Sequence, residues 1–134
     1  MIFSQPIQTP SPAPASPMLL LRVGTARHRV AAGAGSAVAP CAAVTTVPLA
    51  PPWLLGLVLH EGEAMPLVDL AAALADAPAA ARARMLVTRA AHFVVAYAVD
   101  DVDADDGRHE AQALDLAALG RTLLERSRAR WQPA

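Results

Sequence analysis

The sequence has no lysine, no asparagine and a single cysteine, and aromatic residues make up only 4% of its 134 residues. All 11 basic residues are arginines, and 12 acidic residues bring the formal net charge to −1. A protein that wraps nucleic acid needs a strongly basic face, because the release of counterions from the phosphates drives much of the binding. Nucleic acid is therefore not an expected partner.

The single cysteine, Cys41, cannot form a disulfide within the chain, whereas short secreted proteins usually carry an even number of cysteines. Residues 1–17 contain neither the basic start nor the apolar stretch of a signal peptide. The apolar run that follows, residues 18–21, is far too short to span a bilayer. We therefore expect a cytoplasmic protein with no direct insertion into a membrane.

Composition divides the chain into three parts. Residues 1–17 carry prolines among small polar residues, and such a segment buries too little apolar surface to offset the loss of chain entropy. We expect a disordered arm here. Residues 18–126 contain the apolar segments of one folded domain, and residues 127–134 form an arginine-containing tail.

The central segment predicts a β-hairpin followed by a helix. Residues 54–59 form an apolar strand interrupted at Gly56, residues 60–63 form a turn, and residues 64–68 return as the partner strand. Asp69 then stands where a carboxylate can cap the first turn of a short helix with the sequence LAAAL.

Four further segments carry the apolar and β-branched residues typical of strands, two on each side of the central hairpin: 18–23, 27–30, 85–88 and 93–99. Leucines between Leu114 and Leu124 recur on one face of a final helix. These signals together predict a mainly β fold with a short helix after Asp69 and a C-terminal helix.

Two polar clusters resemble metal sites but depart from the required spacing. His60, Glu61 and Glu63 lie in a predicted turn and resemble a hydrolytic or metal cluster, whereas a zinc helix needs two histidines one turn apart with a glutamate between them. Residues 101–112, with alternating aspartates, resemble a calcium loop, but Asp106 stands where glycine is needed and Gln112 where a glutamate is needed. A solvated acidic loop is the simpler interpretation.

No residue has the surroundings of a catalytic nucleophile. Cys41 follows a proline in an alanine-rich stretch, with no neighbouring cation to lower the pKa of its thiol. We therefore expect a non-enzymatic protein with no catalytic residues, no cofactor and no bound metal. A small metal-dependent hydrolase that uses His60, Glu61 and His92 is the remote alternative.

The segment 52–70, PWLLGLVLHEGEAMPLVDL, resembles the signature of CheW-like domains. In that family a proline and an aromatic residue lead into a strand with a glycine. A hairpin with a second glycine follows, and then proline, two apolar residues and Asp-Leu. Five residues match this pattern at the right spacing: Gly56, Gly62, Pro66, Asp69 and Leu70. Asp100 and Val102 match the family's Val-Asp-x-Val element, and the resemblance covers most of residues 18–124.

The resemblance implies a pair of small β-barrels and a non-enzymatic adaptor. Such proteins bridge methyl-accepting chemoreceptors and a CheA-type histidine kinase, in bacterial chemotaxis or in type IV pilus motility, at membrane receptor arrays. Five residues of the central hairpin are the expected contacts with partner proteins: Trp53, Leu55, Leu57, His60 and Glu61. The seven matching motif residues are expected to be structural.

Two departures from the family pattern bear on function and fold. Glu61 stands where the family usually has an arginine tied to receptor contact. A regulatory decoy that binds the kinase but not the common receptors is therefore the alternative function. Residues 101–114 are also fewer than the family uses for a further strand and hairpin, so one of the two barrels is expected to be incomplete.

Overall fold

The computed structural model describes residues 18–131 except 32, 34, 35, 42, 76–78, 91 and 92. The expected disordered arm, residues 1–17, lies outside the described residues, and so do residues 132–134 of the expected tail. His92, which the remote hydrolase alternative requires, also lies outside them.

The described residues form nine strands and two helices, so the expectation of a mainly β fold is confirmed. The strands are β1 (Met18–Val23), β2 (Ala26–Ala31), β3 (Ala37–Pro40), β4 (Leu54–His60), β5 (Glu63–Asp69), β6 (Arg84–Ala90), β7 (Phe93–Val99), β8 (Asp101–Ala104) and β9 (Gln112–Ala113). The helices are α1 (Leu70–Ala75) and α2 (Leu116–Trp131).

One sheet has four strands in the order β8-β1-β2-β9. β1 and β2 form the expected opening hairpin, in which Gly24 takes a positive φ of 61° that glycine adopts without steric cost. β8 pairs antiparallel with β1, and β9 pairs in parallel with β2. The sheet therefore joins the first strands of the domain to strands about 80 residues later in the chain.

The expectation of a solvated loop over residues 100–106 is wrong for residues 101–104, which form β8. Side chains alternate between the two faces of a strand, and Val102 packs against the main core while Asp103 is exposed. A segment of alternating aspartates can therefore form an edge strand, because one face of it carries the apolar residue.

The second sheet has five strands in the order β3-β6-β7-β5-β4. β5 and β7 are parallel neighbours, and the chain between them includes α1 and β6. After β3 the chain returns to the outer edge of β4, where Thr45 forms an isolated antiparallel bridge with Leu57. This bridge places the segment after β3 against the sheet edge opposite to β3 itself.

Two apolar clusters form the core, one on each side of the five-stranded sheet. The smaller cluster lies on the face of that sheet that points away from the four-stranded sheet's cluster, and it includes Val58, Met65 and Met85. The larger cluster lies between the two sheets and the helices, and includes Leu21, Tyr97 and Leu123. The fold is thus two sheets that share the larger cluster, with a short helix after Asp69 and a C-terminal helix, as expected.

Candidate protein-interaction site

The β4–β5 hairpin carries most of the residues that the sequence singles out. Its two central turn residues, Glu61 and Gly62, have φ of 49° and 79°. Positive φ at both positions is the conformation of the type I′ turn, whose twist matches that of the two strands it joins. The turn leaves the Glu61 side chain exposed at the hairpin tip.

Gly56 lies where another segment crosses β4. A Cβ atom at this position would lie 2.3 Å from the carbonyl oxygen of Thr45 and 2.6 Å from a side-chain carbon of Val44. Gly56 also has a φ of 148°, and the β4–β5 register shifts between Leu54 and Gly56. The absence of a side chain therefore lets the segment before β4 lie directly against the strand.

Two leucines of β4 face solvent, with Leu57 41% exposed and Leu59 63% exposed. β4 is an edge strand, and Thr45 pairs with the backbone of Leu57 through hydrogen bonds of 2.8 and 2.9 Å. Residues 54–59 carry no charge that would discourage pairing with another sheet edge. This strand therefore presents apolar side chains at the edge of a sheet.

The other expected contact residues lie in different surroundings. Trp53 is 9% exposed and belongs to the larger core cluster, while Leu55 is half-buried and packs against the smaller one. His60 is half-buried, and its Nε2 atom lies 4.0 Å from Oε1 of Glu61. Leu57 and Glu61 are therefore the expected contact residues that the structure places at the surface.

Glu63 is already engaged by an arginine and is not free to act as a base. Arg89 Nη2 donates to Oε1 of Glu63 over 2.6 Å. This hydrogen bond, together with the charge of Arg89, holds the pKa of Glu63 below its usual value. Within the described part of the chain, no three histidine, cysteine or acidic side chains are grouped closely enough to hold a metal ion.

Cys41 also lacks the surroundings of a nucleophile. Its Sγ atom lies 3.2 Å from the carbonyl oxygen of Arg84, to which the thiol donates. Partial burial raises the pKa of the Cys41 thiol, which disfavours the reactive thiolate.

An apolar groove of about 210 Å³ lies between the hairpin and α2, and sequence reasoning missed it. Pro66, which pairs with Leu57 across the hairpin, lines this groove together with Leu124 of α2, which is also exposed. The groove therefore extends the apolar surface of β4 onto the helix. The one available signal was Gly120, a glycine within a leucine-rich helix, which also lines the groove.

A larger cavity of about 560 Å³ lies between the four-stranded sheet, the end of the β6–β7 pair and the start of α2. Its charged lining residues already have partners within the domain. Arg29 pairs with Asp105, Arg89 pairs with Glu63, and Asp115 accepts a hydrogen bond from the Ala118 amide. The cavity is therefore lined mainly by apolar groups, and its few charged side chains are already engaged within the domain.

The motif residue Asp69 is fully buried and accepts three hydrogen bonds. Its Oδ1 accepts from the Ala71 amide at 3.2 Å, which makes Asp69 the expected cap of α1. The other donors are the Ala80 amide at 2.8 Å and Arg82 Nε at 3.3 Å. A buried carboxylate is tolerated here because donors surround it.

The remaining motif residues occupy the ends of strands and the core. Leu70 is fully buried at the start of α1. Asp100 lies between β7 and β8, where its Oδ2 accepts from the Gly24 amide at 2.6 Å and from Arg82 Nη1 at 3.1 Å. The Gly24 amide first, and Arg82 next, hold the pKa of Asp100 below its usual value.

Within the described residues, no helix has both the length and the apolar composition needed to cross a bilayer.

Comparison with known proteins places the chain in a family. The model of the CheW-like domain matches residues 17–118. Among solved structures, the chain is similar to the scaffolding protein TtCheW from Thermoanaerobacter tengcongensis, with 14% sequence identity and a TM-score of 0.56. That match covers 67% of this chain and 63% of the TtCheW chain. No curated protein matches the sequence.

The family match runs through both sheets, both core clusters and the hairpin that carries the sequence motif. It spans well over half of the chain, and the structural similarity independently shows the same fold. The resemblance identified from residues 52–70 is therefore confirmed, and the chain belongs to the family of CheW-like domains.

Proposed function

We propose that this protein is a non-enzymatic adaptor that couples chemoreceptors to a CheA-type histidine kinase, in bacterial chemotaxis or in pilus-motility signalling. The similar TtCheW is a scaffolding protein, and scaffolding requires docking surfaces rather than catalytic groups. The observation that carries the proposal is the pair of exposed leucines, Leu57 and Leu59, on the edge strand β4. Partner binding at receptor arrays would bring the protein to the membrane.

The leucines suit a protein partner because burying them is favourable. An edge strand with exposed apolar side chains promotes association unless something covers it. Burial of an exposed leucine side chain stabilises a complex by roughly 1–2 kcal/mol, and the adjoining groove between Pro66 and Leu124 can receive a side chain from the partner. We assign this apolar surface to the kinase.

The polar side chains near the hairpin support a protein-binding role for it rather than a catalytic one. Glu63 is engaged by Arg89, and the Cys41 thiol is held in its protonated form by burial. Asp69 is enclosed by its donors and has no access to solvent. These contacts leave Glu63, Cys41 and Asp69 with structural roles, which is compatible with an adaptor.

The test is the substitution Leu57→Arg, measured by binding of the purified protein to the CheA-type kinase. Leu74 on α1 provides a matched control, since both leucines are 41% exposed and both substitutions add one arginine. We expect Leu57→Arg to weaken kinase binding by at least about tenfold, because a charge would have to be buried at the interface. Leu74→Arg should bind as the wild type does.

Equal kinase affinities for the wild type and the Leu57→Arg variant, with both folded by circular dichroism, would place the kinase interface elsewhere. Absence of any binding by the wild-type protein to the kinase would contradict the proposed function itself.

A decoy is the second candidate, and the exposure of Glu61 at the hairpin tip favours it. A carboxylate at this position repels an acidic receptor surface that an arginine would attract. If the protein is a decoy, the wild type binds the kinase but not a receptor cytoplasmic tip, and Glu61→Arg gains receptor binding. Glu61→Gln is the control for simple loss of charge. Receptor binding by the wild type would rule the decoy out.

A further inference from the structure

Arg82 connects the two sheets through two carboxylates. Its Nε donates to Asp69 Oδ1 at 3.3 Å, and its Nη1 donates to both carboxylate oxygens of Asp100 at 3.1 and 3.3 Å. Asp69 ends β5 in the five-stranded sheet, and Asp100 stands where the chain leaves β7 for β8 in the four-stranded sheet. We call Arg82 and these two aspartates the Arg82 bridge.

The bridge extends to the tip of the opening hairpin. Asp100 Oδ2 accepts from the Gly24 amide at 2.6 Å, and the Asp100 amide donates to the carbonyl oxygen of Arg22 at 2.9 Å. Asp100 thus holds the turn of the β1–β2 hairpin on one side and Arg82 on the other. A continuous chain of hydrogen bonds runs from the start of α1 through Arg82 and Asp100 to the β1–β2 turn.

The hydrogen bonds of the Arg82 bridge are directional, unlike the apolar contacts that also join the sheets. The shared core joins them mainly through apolar side chains such as Leu21, Val23 and Val99, whose contacts have no preferred direction. Packed elements joined in this way can slide over each other by small shear motions. The planar guanidinium of an arginine, by contrast, fixes the angle between the two carboxylates it bonds.

The Arg82 bridge includes the last residue of β5, a strand of the hairpin that carries the candidate interaction site. β5, which ends at Asp69, is the partner strand of β4 and carries Pro66 of the apolar groove. The same bridge holds Asp100 and the β1–β2 turn, which belong to the other sheet. The bridge therefore joins the hairpin of the candidate site to the four-stranded sheet.

We propose that Arg82 is a positioning residue that fixes the orientation of the five-stranded sheet, with its β4–β5 hairpin, relative to the four-stranded sheet. This inference goes beyond the proposed adaptor function and does not depend on it. It assigns the geometry between the sheets to Arg82 and Asp100.

The test measures the distance between the sheets in the protein without any partner. Spin labels are attached at Ala64→Cys on β5 and Ala104→Cys on β8, both exposed positions, in a Cys41→Ser background. Electron–electron double resonance then gives the distribution of distances between them. We expect one narrow distribution for this reference protein.

The main variant is Asp100→Asn, which weakens the bridge but leaves the buried pair of Asp69 and Arg82 intact. Arg82→Lys is the second variant, because lysine keeps the charge but lacks the planar fork. Both should broaden the distance distribution by about twofold or add a second maximum. Asp103→Asn removes an exposed carboxylate from β8 and should leave the distribution unchanged.

A purely stabilising role predicts a different result. In that case Asp100→Asn and Arg82→Lys would lower the melting temperature but keep the narrow distribution, and this outcome would overturn the inference. The measurement needs neither kinase nor receptor, so it stays decisive even if the adaptor proposal fails.

Discussion

At the scale of single residues, the two glycines of the central hairpin have different physical roles. The sequence predicts both from the turn and strand pattern, and both have positive φ. Only Gly56 is also crowded, because the segment at Thr45 passes within 2.3 Å of where its Cβ would lie, whereas Gly62 faces open space. That crossing could not be predicted, since residues 44–47 carry only a weak strand signal.

We therefore expect Gly56→Ala to destabilise the protein far more than Gly62→Ala does. Alanine at Gly62 carries the cost of a left-handed backbone, about 1–2 kcal/mol. Alanine at Gly56 adds a clash with backbone atoms that cannot move away alone, and should cost about 3 kcal/mol or more. Urea unfolding of the two variants measures the difference. Equal losses would mean that the Thr45 crossing is not tightly packed.

Asp69 and Arg82 illustrate the limit of prediction at this scale. The capping role of Asp69 follows from its place immediately before an apolar helical segment. Its ion pair with Arg82 depends on a loop that returns 13 residues later, and no local pattern indicates where that loop goes. The candidate site was predictable where it consists of one hairpin, and not where distant segments meet.

At the scale of elements, α2 was predicted from the spacing of its leucines, but its docking was not. Asp115 accepts a hydrogen bond from the Ala118 amide at 3.0 Å and so caps the helix, which begins at Leu116. A Cβ at Gly120 would lie 2.8 Å from a ring carbon of Phe93 and 3.1 Å from the Tyr97 hydroxyl. The helix therefore lies directly against β7 at Gly120, with no room for a side chain there.

Gly120→Leu should force α2 away from the sheet and destabilise the fold by about 1–3 kcal/mol, even though leucine favours helix formation. Ala117→Leu places the same side chain at an exposed position of α2 and should leave stability nearly unchanged. Thermal unfolding of the two variants compares them. A stable Gly120→Leu protein would show that the helix can repack without loss.

β8 shows why one element was not predicted. A run of aspartates has low strand propensity, and only its pairing with β1, about 80 residues earlier, makes it a strand. The pairing buries part of Val102 while leaving the carboxylates at the surface or in ion pairs. Tertiary contacts therefore determine the structure of this segment.

At the scale of the whole molecule, the two ends of β8 make stability sensitive to acid. Asp100 precedes the strand and Asp105 follows it, and both carboxyl pKa values are lower than usual. The Gly24 amide is the main cause for Asp100, and the Arg29 hydrogen bond is the main cause for Asp105. Both groups bind protons more weakly in the folded than in the unfolded protein.

Such groups stabilise the folded state above the unfolded pKa, near 4, and this stabilisation is lost as pH falls through the lower folded values. We expect the urea midpoint to be steady near neutral pH and to fall below about pH 4. Asp100→Asn should lower the midpoint at pH 7 and flatten its decline in acid. An identical pH profile for this variant would mean that Asp100 is not linked to folding.

The ultraviolet absorbance of Tyr97 can report whether α2 is docked on the sheet. It is the only tyrosine in the chain, it is fully buried, and its hydroxyl donates to the carbonyl oxygen of Leu116 at the start of α2. Burial raises the pKa of the Tyr97 phenol, so the ring stays un-ionised in alkaline solution while α2 is docked. The ultraviolet absorbance of tyrosinate after a jump to alkaline pH would therefore follow, in real time, the departure of α2 from the sheet.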